Sequence, residues 1–105
     1  MTLEELYTVL SETNLPVAYL AFPADQHVVM PFIVYQETGS DNFGADNRVW
    51  HSAMRVQVDL MTAKKDRTTE TVLETALNDN GIFWERVPDW DEDEDYYRVT
   101  YEIEI

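Results

Sequence analysis

Two hydrophobic periodicities alternate along the chain. Leu3, Leu6, Tyr7 and Leu10 recur at helical spacing and predict a helix over 3–13. Thr2 and Glu5 stand three apart at its start, the spacing at which each side chain caps the other's backbone N–H. Asn14 is placed to cap the other end, and Pro16 prevents continuation. Val72, Leu73, Ala76 and Leu77 make a second stripe, which predicts a helix over 67–79 with Asp66 as its N-cap and Asn80-Gly81 as its stop. Glu70, Thr71, Glu74 and Thr75 are expected to face water.

Between and after the helices the period drops to two. Residues 17–22 form a short apolar run ended by Pro23, and 24–27 read as a turn. Residues 28–37 predict a second strand. Pro31 inside it removes a ladder donor, so an edge position or a bulge is expected there. Residues 39–47 read as a polar loop that holds two of the three glycines, Gly39 and Gly44, with Phe43 at its tip. The next strand begins at Arg48 and has the clearest alternation. Trp50, Met54, Val56, Val58 and Leu60 share one face, and His51, Arg55, Gln57 and Asp59 the other. Residues 82–87 predict a short strand ended by Pro88. Asp89, Trp90, Asp91, Glu92, Asp93, Glu94 and Asp95 form an acidic turn. In the last strand, 96–105, Tyr97, Val99, Tyr101, Ile103 and Ile105 alternate with Arg98, Thr100, Glu102 and Glu104. An edge position there would make Glu102 and Glu104 guards against unwanted pairing.

The order α-β-β-β-α-β-β predicts an α+β fold: a mainly antiparallel or mixed sheet with both helices on one face. One domain spanning 1–105 is expected from the length and from the lack of a linker or repeat.

Composition then removes function classes. Seven Lys and Arg face 21 Asp and Glu, a formal charge of -14. Affinity for nucleic acid comes largely from bases that neutralise phosphate, so direct DNA or RNA binding is not expected. An anionic membrane surface is disfavoured for the same reason. The absence of cysteine excludes disulfides and thiolate metal sites. The first residues have neither the basic start nor the apolar run of a signal peptide.

Candidate chemistry is sparse. An EF-hand loop beginning at Asp89 needs Gly at its sixth position and Glu at its twelfth; Glu94 and Thr100 stand there. A solvated charged turn is the simpler reading, except that Trp90 has no reason to sit in one unless it packs back or meets a partner. His27 and His51 have no second ligand at zinc spacing. Ser40-Asp41 with a distant histidine is too common a combination to identify a nucleophile, and no glycine-rich phosphate loop is present. No catalytic residue, metal or cofactor is therefore expected. The aromatic residues favour contact instead. Trp50 and Trp84 are expected mainly in the core, whereas Phe43, between two glycines, is expected to meet a partner.

Several local segments resemble one family. They are Leu6-Tyr7 with Leu10, Asn14-Leu15-Pro16-Val17-Ala18-Tyr19, Pro31-Phe32-Ile33-Val34-Tyr35, Ser40 to Asn47, and Asn80-Gly81-Ile82 with Trp84-Glu85. Together they are similar to small tailed-phage and prophage proteins of the tail-terminator and head-tail joining group, lambda tail-terminator-like. The resemblance implies a non-enzymatic virion component that assembles in the host bacterial cytoplasm into a ring, usually hexameric. The ring would cap the tail tube and contact tail-tube and head-completion proteins. On this reading Asp41, Asn42, Phe43, Asp46, Asn47 and Trp90 are interface residues. Asp89, Asp91, Glu92, Asp93, Glu94 and Asp95 would line an acidic lumen. Another head-tail connector, a minor capsid component, or an acidic DNA-mimic inhibitor are the alternatives.

Overall fold

Thr2 opens the first helix as its spacing predicts. Its hydroxyl accepts from the Glu5 N–H at 3.1 Å, and the Glu5 carboxylate accepts from the Thr2 N–H at 3.1 Å. The computed structural model describes residues 1–45, 48–91 and 96–105, with side chains over 1–40, 53–89 and 96–105. In it α1 runs over Leu3–Ser11 and buries Leu6, Val9 and Leu10. The helix ends sooner than expected. Glu12 is its C-cap, and Asn14 lies beyond at φ 63°. The Thr13 hydroxyl donates to the Leu10 carbonyl at 2.7 Å and accepts from the Leu15 N–H at 3.2 Å, which turns the chain there. Tyr7, expected on the buried stripe, is 47% exposed and Val9 takes its place.

Five strands follow: β1 (Val17–Tyr19), β2 (Phe32–Ala45), β3 (Arg48–Thr62), β4 (Trp84–Asp91) and β5 (Tyr96–Glu104), with α2 (Arg67–Asp79) between β3 and β4. The sheet order is β1-β2-β3-β5-β4. β1 runs parallel to β2 and every other pairing is antiparallel, so the α+β expectation holds with a mixed sheet. β1 stops at Tyr19 because Leu20 takes a left-handed backbone at φ 67°.

One register row sets Ile33, Leu60, Val99 and Pro88 side by side. The next sets Tyr35, Val58, Tyr101 and Arg86. These rows face both helices, and Leu6, Leu10, Leu73 and Leu77 complete one core with them. Burial of this apolar surface is the main force holding helices to sheet.

Four strand expectations are corrected. β2 starts at Phe32, after a cis Met30–Pro31 bond, and lies between β1 and β3; its register shifts fall at Glu37/Gly39 and Phe43/Gly44. Pro88 lies inside β4, not after it. β4 is the outer strand, where a missing N–H costs no ladder bond. β5 is interior, so Glu102 and Glu104 do not guard an edge. Finally, the polar segment from Gly39 to Ala45 is strand, not loop.

Candidate functional site

The ladder between β2 and β3 is far longer than the sheet that holds it. β1 pairs with β2 only from Ile33 to Tyr35, and β5 pairs with β3 only from Arg55 to Thr62. One further rung joins Met54 and Ile105 through reciprocal backbone bonds of 3.0 and 2.9 Å. Beyond these rungs β2 and β3 continue together as a two-stranded ribbon, from Asp41 opposite Ala53 to Ala45 opposite Arg48. At ~3.3 Å per residue the ribbon projects by about 13 Å.

Its base is shaped by Gly39. Thr38 is the extra residue of a bulge, and its hydroxyl donates to the Arg55 carbonyl at 3.3 Å. A Cβ at Gly39 would stand 3.2 Å from an Arg55 guanidinium nitrogen, so glycine gives the arginine room to cross the strand. A polar, glycine-containing sequence suits such a ribbon, because neither helix covers it and no period-2 apolar face is required.

Asp89 and Asp91 lie at the other end of the sheet. Asp89 stands opposite Arg98, with an ion pair at 3.1 Å. Trp90 stands opposite Tyr97 and Asp91 opposite Tyr96; Tyr97 in turn is opposite Thr62, the far end of β3 from Arg48. The molecule's longest dimension is 50 Å. Trp90 therefore does not join the ribbon residues in one site. Asp41, Asn42 and Phe43 occupy rungs opposite Ala53, Ser52 and His51. Asp46, Asn47, Glu92, Asp93, Glu94 and Asp95 lie outside the described residues.

A third group was not visible as a site in the sequence. Glu70 and Glu74, expected to face water, are buried at 1% and 8% exposure. Arg67 reaches both, at 2.7 Å to Glu70 and 3.1 Å to Glu74. Arg86 on β4 meets Glu74 at 2.8 Å, and the buried Tyr101 hydroxyl on β5 donates to the same carboxylate at 2.7 Å. Lys65 straddles the Glu70 carboxylate at 3.0 and 2.9 Å.

Burial pushes the Glu74 carboxyl upward. The bonds from Tyr101, Arg67 and Arg86 outweigh it and hold the group below its ordinary range. Burial, then the bond to Glu74, pushes the Tyr101 phenol well up. Glu74 thus stays ionised and Tyr101 protonated near neutrality. The group works as a clasp between α2, β4 and β5. The signal for it lay in spacing: 70, 73, 74 and 77 continue one helical stripe, and Arg67 precedes Glu70 by one turn.

The sheet face away from the helices carries Asp59, which accepts from Gln57 at 3.1 and 3.0 Å and from Thr100 at 2.7 Å. Beside it, segment 20–31 folds over the sheet and leaves an apolar groove of about 490 Å³ lined by His27, Val28, Val29, Met30, Phe32, Met61 and Tyr96. Among the described residues no three His, Cys, Asp or Glu side chains are grouped to hold a metal ion, and no helix is long and apolar enough to cross a membrane. The arrangement offers contact surfaces: a ribbon, an acidic end and an apolar groove. Comparison with known proteins adds no family, since no protein-family model and no curated protein matches the chain.

Proposed function

We propose that this chain is a non-enzymatic structural protein of a tailed phage or prophage, which forms a ring at the end of the tail tube, terminates the tail and joins it to the head. The observation that carries the reading is the ribbon. A two-stranded hairpin is marginally stable alone in water, so a long projecting one is best explained by a partner that completes it. The resemblance of segments along the chain supplies the identity of the partners: copies of itself, the tail tube and head-completion proteins. The acidic composition fits a channel for DNA. Six copies at -14 each put about -84 formal charges in one assembly, and an acidic lining repels phosphate and lets it slide. Asp89 and Asp91, with the neighbouring acids 92–95, are the residues assigned to that lining. The protein would assemble in the host cytoplasm and remain in the virion.

Electron microscopy of the purified protein mixed with tail tubes tests the function. Rings at tube ends are the expected result; tubes with bare ends and unchecked growth would refute it. Lysine at Asp89 and Asp91 together should slow DNA passage at normal tail length, and unchanged infectivity would remove the lumen assignment.

A further inference from the structure

The ribbon has two open edges. Among the described residues no strand lies beside β2 beyond Tyr35, and none beside β3 before Met54. The first open position on β2 is partly covered, since the Glu37 N–H donates to the Tyr19 hydroxyl at 3.3 Å. On β3, Met54 exchanges both backbone bonds with Ile105. The two-residue period of an antiparallel ladder then turns the N–H and C=O of Ser52 toward the same open edge. Open edges of this length are templates for another strand.

The two edges differ in charge. β2 contains Glu37 and Asp41 and no Lys, Arg or His. The open stretch of β3, from Arg48 to Ala53, contains Arg48 and His51 and no acid. In a chain with 21 acids and seven bases, a basic strand beside an acidic one is a marked local departure. Each edge complements the other and neither complements itself.

We infer that the β3 edge of one copy's ribbon pairs with the β2 edge of the next copy's ribbon. The occupant of each open edge is thus a second copy of this chain. The contact is head-to-tail: it uses a different edge on each partner, so it propagates and closes into a ring when the rotation allows. Every copy then has both ribbon edges paired, which a two-fold dimer through one edge does not achieve. The inference rests on the ring assembly proposed above and names the surface that makes it.

The absence of native cysteine makes cross-linking a clean test. Two single variants are prepared, Ser40→Cys on β2 and Ser52→Cys on β3. Each is oxidised alone, then both are mixed in equal amounts under conditions where the wild type sediments as an oligomer. The expected result is a disulfide-linked heterodimer, formed at least tenfold faster in the mixture than either homodimer alone. Equal homodimer formation, or no cross-link while the wild type is oligomeric, overturns ribbon pairing but leaves ring assembly standing. A wild type that stays monomeric at all salt concentrations and on tail tubes overturns both. Far-ultraviolet circular dichroism of each variant should match wild type. If either is unfolded, Asn42→Cys and Ala53→Cys replace the pair and are read by the same criteria.

Discussion

Glu74→Ala removes the centre of the clasp between α2, β4 and β5, and its cost can be worked from the partners left behind. Glu74 accepts from Tyr101 at 2.7 Å, Arg86 at 2.8 Å and Arg67 at 3.1 Å. The three losses are unequal. The Arg67 and Arg86 side chains are 51% and 33% exposed, so water can replace the carboxylate and each loss is about 0.5 kcal/mol, as for a surface pair. Tyr101 is fully buried. Its stranded hydroxyl has no access to water and costs about 2 kcal/mol. The sum is about 3 kcal/mol, at the low end for breaking a buried pair. For a chain of this length it corresponds to a fall of roughly 12–15 °C in Tm. Urea denaturation should show the lower midpoint with an unchanged slope. The decisive measurement is the cycle with Tyr101→Phe. Without the phenol there is nothing to strand, so Glu74→Ala should cost about 2 kcal/mol less in that background. A single-variant cost below about 1 kcal/mol, or coupling below about 0.5 kcal/mol, would refute the clasp.

The same group sets a pH dependence. The folded pKa of Glu74 lies below its ordinary 4.5, so its contribution is complete above that value and is lost as pH falls through the folded one. Wild type should lose more stability than Glu74→Gln between about pH 5 and pH 3, and parallel profiles in urea titrations would contradict this. Gly81 stops α2 at φ +69°, and a methyl group added there would meet nothing within 4 Å. Gly81→Ala should therefore cost about 1 kcal/mol through the backbone alone, and an unchanged thermal midpoint would oppose that. Phe43→Ala lies beyond the last rung shared with β5 and should leave the unfolding free energy from urea denaturation within about 0.5 kcal/mol of wild type. It should also reduce oligomer formation by sedimentation; equal assembly would remove Phe43 from the contact.

The helices were legible because their signals are local. Thr2 and Glu5 made the expected capping box, and α2 has the predicted bounds of Arg67–Asp79 with Asp66 accepting from the Thr69 N–H at 3.1 Å. The alternation of β3 and β5 likewise identified Val56, Val58, Val99 and Tyr101 as core. Three features needed the fold. Pro88 reads as a strand end until β4 is known to lie outermost. Glycine and Asp/Asn read as a loop in 39–45 because turn chemistry and an uncovered ribbon favour the same residues. Glu74 reads as solvated because two of its partners come from other elements: Arg86 lies 12 residues beyond it, and Tyr101 lies 27 beyond. Of the expected site residues that are described, only the sheet register separates Asp41, Asn42 and Phe43 from Asp89, Trp90 and Asp91 at opposite ends.

That separation determines how assembly should respond to salt. Four bases, Lys65, Arg67, Arg86 and Arg98, are in ion pairs within the fold. Their partners are Glu70, Glu74 and Asp89, so these bases are spent on stability. Arg48 stands instead on the open ribbon stretch of β3, which carries no acid. Two copies therefore attract over the short range of a paired edge and repel over the longer range of two -14 bodies. The Debye length falls from about 10 Å at 0.1 M salt to about 3 Å at 1 M. Salt consequently removes the long-range repulsion first, while backbone hydrogen bonds across the edge are not screened away. Sedimentation should show the oligomeric fraction rising as salt is raised from about 0.05 to 0.5 M. A steady fall over that range would mean that charge attraction, not strand pairing, holds the copies together.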